Sequence, residues 1–328
     1  MLTPRQNLLE TIRGGKPDRY VNQYEPLKII MHPAVAYNPG PKNDGVPVVN
    51  NWGVTRIWPQ GTPGAFPVHT PDKIVIQDIT RWREYVHAPR LDFTDEQWEP
   101  FVRQAEAVDR KSYFVAPFIA PGLLEQCHYL GEIKNTMMYF LEEPDSMHEL
   151  IDYLTDYELR MAEGICTHLK PDALFHHDDW GSQISTFLSV PMFEDFFLES
   201  YKQIYGYYHQ HGVELVVHHS DSYAATLVPD MIEMGVNIWQ GCMTSNDIPA
   251  LIKKYGGKIS FMGGIDSAAV DKPGWTHEDI VREVRRACDE CGKLYFIPNA
   301  SQGLPMSTFP GVYEALTAEI DRYSREKF

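Results

Sequence analysis

Five stretches of this chain end in residues that can move protons, hold metals or grip polar substrates. They are His176-His177-Asp178-Asp179-Trp180-Gly181, His218-His219-Ser220-Asp221, Trp239-Gln240-Gly241-Cys242, Gly263-Gly264-Ile265-Asp266 and Pro298-Asn299-Ala300-Ser301-Gln302-Gly303. Neutral imidazole and carboxylate are ordinary ligands of zinc, and alternate residues leaving a strand point the same way. His219 and Asp221 are therefore candidate metal ligands and electrophilic groups. A hydrogen-bonded pair that fixes a loop is the plainer reading of the same spacing. Cys242 is a further candidate ligand, or a thiol that lines a pocket.

The adjacent carboxylates Asp178 and Asp179 obey a different logic, because neighbours on a strand face opposite sides. One is expected to enter the site as a general acid or base, or to orient a polar substrate group; the other is expected to cap a loop or helix. Asp266 follows two glycines that permit close backbone approach. It is a further catalytic candidate, with a helix N-cap as an equal alternative. Cys288-Asp-Glu-Cys291 is formally a CxxC, yet it closes a helix and precedes a strand, which puts it at the end of the fold away from the other groups.

These side chains need a scaffold that brings successive strand ends to one rim. From about residue 110 onward, short apolar runs alternate with amphipathic stretches, the rhythm of βα units around a parallel sheet. Strands are expected at Ser112–Pro117, Ala173–Asp178, Glu214–His219, Val236–Gln240, Lys258–Gly263 and Lys293–Asn299. Helices are expected at Met192–His211, Ala224–Met234, Ile248–Tyr255, Glu278–Cys288 and Tyr313–Arg325. The expected fold is a (β/α)8 TIM barrel, residues 1–328 forming one domain, with reactive groups at the C-terminal strand ends. The N-terminal extension is irregular: a helix over Pro4–Arg13, then Pro- and Gly-rich stretches around residues 38–47 and 59–67. It should supply the remaining strands and a lid.

Composition narrows the partners. The 29 basic against 45 acidic side chains give a net charge of −16, which repels nucleic acid and anionic membrane surfaces. No run of apolar residues is long enough to span a bilayer, and the first residues lack the pattern of a secretory signal. With five scattered cysteines, this fits a reduced, cytoplasmic protein.

Several of these segments resemble the uroporphyrinogen decarboxylase-like superfamily, and within it the corrinoid-dependent methyltransferases. They are Leu2-Thr-Pro-Arg-Gln-Asn-Leu-Leu-Glu-Thr-Ile-Arg-Gly-Gly-Lys-Pro-Asp-Arg19, Asp178-Asp-Trp-Gly181, His219-Ser-Asp221 and Gly256-Gly-Lys-Ile-Ser-Phe-Met-Gly-Gly-Ile-Asp266. True decarboxylases of that superfamily carry an early Arg-Gln-Ala-Gly-Arg segment for a polycarboxylate substrate; here only Arg5-Gln6 stands early. Thiol-directed methyltransferases carry His-x-Cys and a second cysteine near the last strand; here the positions read His219-Ser-Asp221 and Asn299-Ala-Ser301. Oxygen in place of sulfur suits an oxygen-containing substrate.

The resemblance thus implies transfer of methyl from a methoxylated aromatic or similar small methyl donor to cob(I)alamin. The cobalamin is carried by a separate corrinoid protein, since no Asp-x-His-x-x-Gly segment is present. Zinc is the implied metal, with His219, Asp221 and Cys242 as candidate ligands, and a homodimer is one candidate assembly. Trp58, Phe66, Trp180 and Tyr295 are candidates for an aromatic wall around the substrate, with His177 and Asn299 as polar contacts; core packing is the competing reading for each aromatic. Three alternatives stand beside this one: methyl transfer from a methylcorrinoid to tetrahydrofolate or a thiol, a decarboxylase-type lyase, and a barrel that binds a small molecule without chemistry.

Overall fold

The computed structural model describes residues 1–62, 64–301 and 307–328. Among these, ten strands are found: β1 (Leu27–Ile30), β2 (Val48–Val49), β3 (Thr55–Ile57), β4 (Phe66–Pro67), β5 (Phe114–Ile119), β6 (Ala173–His177), β7 (Leu215–His219), β8 (Ile238–Cys242), β9 (Ser260–Ile265) and β10 (Phe296–Ala300). Seven of them, in the order β1-β5-β6-β7-β8-β9-β10, form one parallel curled sheet with helices outside it, the TIM-barrel architecture. Between β10 and β1 the described residues form no ladder. Asn22 and Gln23 bridge that gap through hydrogen bonds to Thr317, Tyr313 and Asp321 on the helix Val312–Lys327, and Asn299 on β10 bonds Gln23.

The two-residue alternation of strands divides the barrel into two layers. Leu27, Phe114, Ala173, Phe175, Leu215, Val217, Ile238, Met262 and Ile297 form the interior cluster, plugged by Leu8 of the helix Pro4–Ile12. Their neighbours Val115, Leu174, Val216, Trp239, Phe261 and Phe296 face outward into the larger core beneath the helices. Burial of these apolar surfaces is the main force holding sheet to helices. Arg5 and Arg13 pair with Glu214 just before β7, at the N-terminal end of the barrel.

Several strands begin two residues later than the apolar runs suggest. Ser112 and Tyr113 are held by a turn, donating their backbone N–H groups to the Asp109 carbonyl. Val236 donates back to Met231 and so closes the preceding helix. The helix Ile248–Tyr255 has the expected bounds, whereas the stretch read as Met192–His211 starts earlier, at Val190, and contains a π-helical turn at Glu194–Leu198.

Among the described residues, the first 110 positions give the barrel only β1. Strands β2, β3 and β4 pair into a separate antiparallel sheet, and Arg56, Phe66 and Pro67 on it line the main cavity, as a lid would. Among the described residues no helix is long and apolar enough to cross a membrane.

Candidate active site

The sheet register accounts for the site. In β6 and β7, His176 lies beside His218 and His177 beside His219. Alternation sends the second pair inward: His177 and His219 follow Phe175 and Val217 on the interior face, and their rings stack 4.2 Å apart, inclined by 19°. Two residues on, Asp179 and Asp221 leave the strands on that side and line the same cavity of about 830 Å3. The ligand atoms of His177, Asp179 and His219 all lie within 4.8 Å of one another. His219 Nε2 stands 3.8 Å from the Asp179 carboxylate.

The outer ring nitrogens are both engaged. His177 Nδ1 meets the Glu125 carboxylate at 2.8 Å. His219 Nδ1 bonds the side-chain oxygen of Gln240, its register partner on β8. That bond opens a buried relay: Gln240 Nε2 donates to Asn299 Oδ1 at 2.9 Å, Asn299 Nδ2 to Gln23 Oε1 at 3.3 Å, and Gln23 Nε2 to the Tyr313 carbonyl at 3.3 Å and Thr317 Oγ1 at 2.9 Å. A backbone carbonyl can only accept, so it orients Gln23, which orients Asn299, which orients Gln240. The Gln240 oxygen must therefore receive a proton from His219 Nδ1, leaving the Nε2 lone pair toward Asp179. Gly241 makes this possible: at φ 87° it forms a bulge between Gln240 and Cys242, where a Cβ would meet the Ser220 backbone at 2.9 Å.

Asp178 is turned away and fully buried. It caps the helix Leu123–Gly131, accepting the N–H groups of Leu124 at 3.0 Å and Glu125 at 2.7 Å, the Trp180 indole N–H at 2.9 Å and the Tyr201 hydroxyl. Gly122 permits the approach, since a Cβ there would stand 2.5 Å from that of Asp178. This cap places Glu125 against His177, and so links the helix to the site.

Charge is crowded here. Burial works against the His177 charge, but Glu125 and then Asp179 and Asp221 outweigh it and raise the imidazole to about 10. Burial likewise opposes ionisation of Glu125, and His177 holds it below the ordinary value. Burial, aided by the positive His177, lowers His219 to about 3. Asp179 is pushed up to about 6 by burial against the pull of His177, and Asp221 to about 8 by burial and the neighbouring Asp179.

Two comparisons with known proteins bear on this geometry. A model of the uroporphyrinogen decarboxylase (URO-D) family matches residues 63–323. The chain belongs to that family. A solved methyltransferase from Methanosarcina mazei shares the architecture at a TM-score of 0.66, covering 98% of this chain and 99% of its own; at 14% identity the likeness concerns the fold. A putative vitamin-B12-independent methionine synthase from Listeria monocytogenes aligns at a TM-score of 0.39 and 11% identity over 70% of this chain and 69% of its own, too distant to bear on it. No curated protein matches the sequence.

In this URO-D family member the candidates read from the sequence separate into groups. His177, Asp179, His219, Asp221 and Phe66 line the cavity together. Cys242 belongs to the outer hydrophobic core, its thiol raised by burial, and is not part of the metal-capable cluster, so that assignment is corrected. Asp266 caps the helix Ser267–Val270 by accepting the Ala268 N–H at 2.9 Å and does not line the cavity.

The aromatic wall is also corrected. Trp180 is buried against His218, Trp58 donates its indole N–H to the Thr62 carbonyl, and Tyr295 stands beside Gly14 and Gly256 ahead of β10, at the N-terminal end of the barrel. The aromatic rings that join Phe66 around the cavity include Phe118, Tyr129 and Phe187. Asn299 serves the relay. Gln302 and Gly303 lie outside the described residues. Sequence reasoning missed Glu125 and Arg56. The first lies in the first turn of the helix Leu123–Gly131 that follows β5, past the strand end itself; the second lies in the irregular N-terminal segment, without a periodic signal.

Proposed function

We propose that this chain is a methyltransferase that takes methyl from a methoxylated aromatic or similar small donor and delivers it to cob(I)alamin on a separate corrinoid protein. The observation that carries this is the His177–Asp179–His219 cluster on the cavity wall, with Glu125 and Gln240 behind its imidazoles. Two imidazoles and a carboxylate, with the second ring nitrogens held by a carboxylate and an amide oxygen, are the donor set and outer shell of zinc sites that keep a coordination position open. The residues therefore fit a zinc ion that displaces the proton of His177, with Asp179 replacing Asp221 as the carboxylate ligand. A cation held there by His177, Asp179 and His219 would supply Lewis acidity to an ether oxygen.

The chain's own residues do the rest. Phe118, Tyr129 and Phe187 hold a ring by apolar contact and keep water from it. Glu125 and Gln240 keep the imidazoles in one orientation. Asp221, facing the same cavity, hands a proton to the oxygen as it leaves. In the balance, the methyl C–O bond breaks, the methyl group passes to the cob(I)alamin co-substrate, whose electron pair would make the new bond, and the phenolate oxygen takes the Asp221 proton and leaves as a neutral phenol. The protein works in the cytoplasm in this reading.

The URO-D lyase reaction is not favoured. Among the described cavity residues Arg56 is the one Arg or Lys, against four carboxylates in Glu125, Glu158, Asp179 and Asp221, which is the wrong balance for a polycarboxylate. The test joins elemental analysis to turnover. Wild type should hold near-stoichiometric zinc and methylate titanium-reduced cobalamin from a methoxybenzoate, and His219→Ala should lose both. Turnover that persists without metal would shift the chemistry to the carboxylic acids; porphyrinogen turnover would restore the lyase.

A further inference from the structure

The cavity has a second pole. Arg56 sits in the middle strand of the lid sheet, paired in register with Val48 on β2 and Pro67 on β4, and its guanidinium lies 5.6 Å from the centre of the Tyr129 ring. Among the described residues its one side-chain hydrogen bond is long, 3.5 Å to the Ala65 carbonyl, and its buried Nε has no partner. Among the described residues no carboxylate lies within ion-pair distance of it. Other half-buried arginines are paired: Arg5 with Glu214, Arg19 with Asp18, Arg110 with Asp172 and Arg286 with Glu283. In a chain with 45 acidic and 29 basic side chains, an arginine on a cavity wall with no acid beside it is conspicuous.

A second group repeats the pattern. Gln126, 5% exposed, lines the same cavity, and its Nε2 also lacks a hydrogen-bond partner among the described residues. Buried donors left unpartnered cost stability, and both costs vanish if an acceptor arrives from solution.

We propose that the substrate is an aromatic carboxylate, whose carboxylate is received by Arg56 with help from the Gln126 amide. The planar guanidinium fork matches a carboxylate, and Tyr129 beneath it offers a ring face to the aromatic body. Electrostatics then orient the molecule. Arg56 is the one Arg or Lys among the described cavity residues, so the carboxylate goes to the lid and the opposite end of the substrate is delivered to His177 and His219. This deepens the reading above by naming the substrate class of the same site, and it rests on that reading for the group at the far end.

The test is calorimetric binding of 4-methoxybenzoate and 4-methoxybenzamide to the purified full-length protein, beside Arg56→Gln and Arg56→Lys. Wild type should prefer the acid by about thirtyfold or more. Arg56→Gln should bring the two ligands within about threefold, and Arg56→Lys should fall between, because it keeps the charge without the fork. Melting curves check that the variants fold. Equal binding of acid and amide by wild type, a preference that survives Arg56→Gln, or failure of benzoate, phenylacetate and cinnamate as well as 4-methoxybenzoate to bind would overturn the proposal. The two readings fail separately. Arg56-dependent binding of benzoate with no methyl transfer from 4-methoxybenzoate leaves the carboxylate pole standing and removes the demethylase, whereas equal transfer from acid and amide does the reverse.

Discussion

Two histidine pairs, identical in sequence and adjacent on the same two strands, meet opposite fates. His177 and His219 face the barrel interior, with ring nitrogens turned to a cavity. His176 and His218 face the helices, where His176 meets Glu158 at 2.9 Å and His218 meets the Tyr205 hydroxyl at 2.8 Å and the Asp178 carbonyl at 3.2 Å. Neither outer histidine lines the cavity. A one-residue step along a strand thus separates groups available for chemistry from groups used to tie the sheet to its helices. Residue type alone says little; the face decides.

The comparison breaks most sharply on the inner side. His219→Ala and His177→Ala should each abolish stoichiometric zinc, seen by elemental analysis, and lower methyl transfer about a thousandfold or more, since a metal centre missing one of three ligands is rarely retained. The melting temperature should move little beyond the loss of bound metal. Metal retained at wild-type level in both variants would dissolve the distinction between the faces.

On the outer side the same kind of change should strike folding instead. His176→Phe keeps the approximate shape but leaves the buried Glu158 carboxylate without its partner, a loss of about 3 kcal/mol by analogy with broken buried pairs. Urea denaturation should show a lower midpoint with an unchanged slope, and zinc content should stay at the wild-type level. A His176→Phe protein of full stability that had lost its metal would reverse the assignment of the two faces.

Between these extremes lies Gln240, which does not line the cavity but fixes the His219 tautomer. Gln240→Leu should weaken zinc by about ten- to a hundredfold, the usual range for outer-shell partners of metal-bound histidine, while the protein stays folded. Gln240→Glu keeps an acceptor facing His219 and should recover much of that affinity, although the carboxylate cannot donate to Asn299. Competition with a chromogenic chelator reads both. If Leu and Glu behave alike, the relay from Tyr313 to His219 serves packing and not orientation.

The legible parts of the fold and site are those with a local signal. Strands β6 and β7 announced themselves as apolar runs ending in His and Asp, and barrel architecture told which end to search. The pairing of Asp178 with a helix N-terminus and of Asp179 with the cavity agrees with alternation, although the sequence could not say which took which role. The metal-capable cluster required register: only the alignment of His177 with His219 brings those rings together, and no spacing within one strand encodes a partner in the next. Cys242 looked suitable because it ends a strand, but the Gly241 bulge re-aims the residue after it, and the thiol turns into the core. Arg56 was invisible because short lid strands of two and three residues carry no period to read.

Asp266 supplies the smallest effect and the cleanest control for strand-end carboxylates. It has the same address as Asp179, just beyond the C-terminal end of a barrel strand, yet its carboxylate accepts the Ala268 N–H and caps a four-residue helix. Asp266→Ala should cost about 1 kcal/mol of stability, the typical value of a lost N-cap, and Asp266→Asn or Asp266→Ser should restore most of it because each keeps an acceptor. Zinc content and methyl transfer should be unchanged in all three, whereas Asp179→Asn should lose metal with little change in stability. The contrast separates what a carboxylate does by position from what it does by direction: equal losses of activity at Asp266 and Asp179 would mean that any acid at the rim contributes through its charge, and the interior face would lose its special standing.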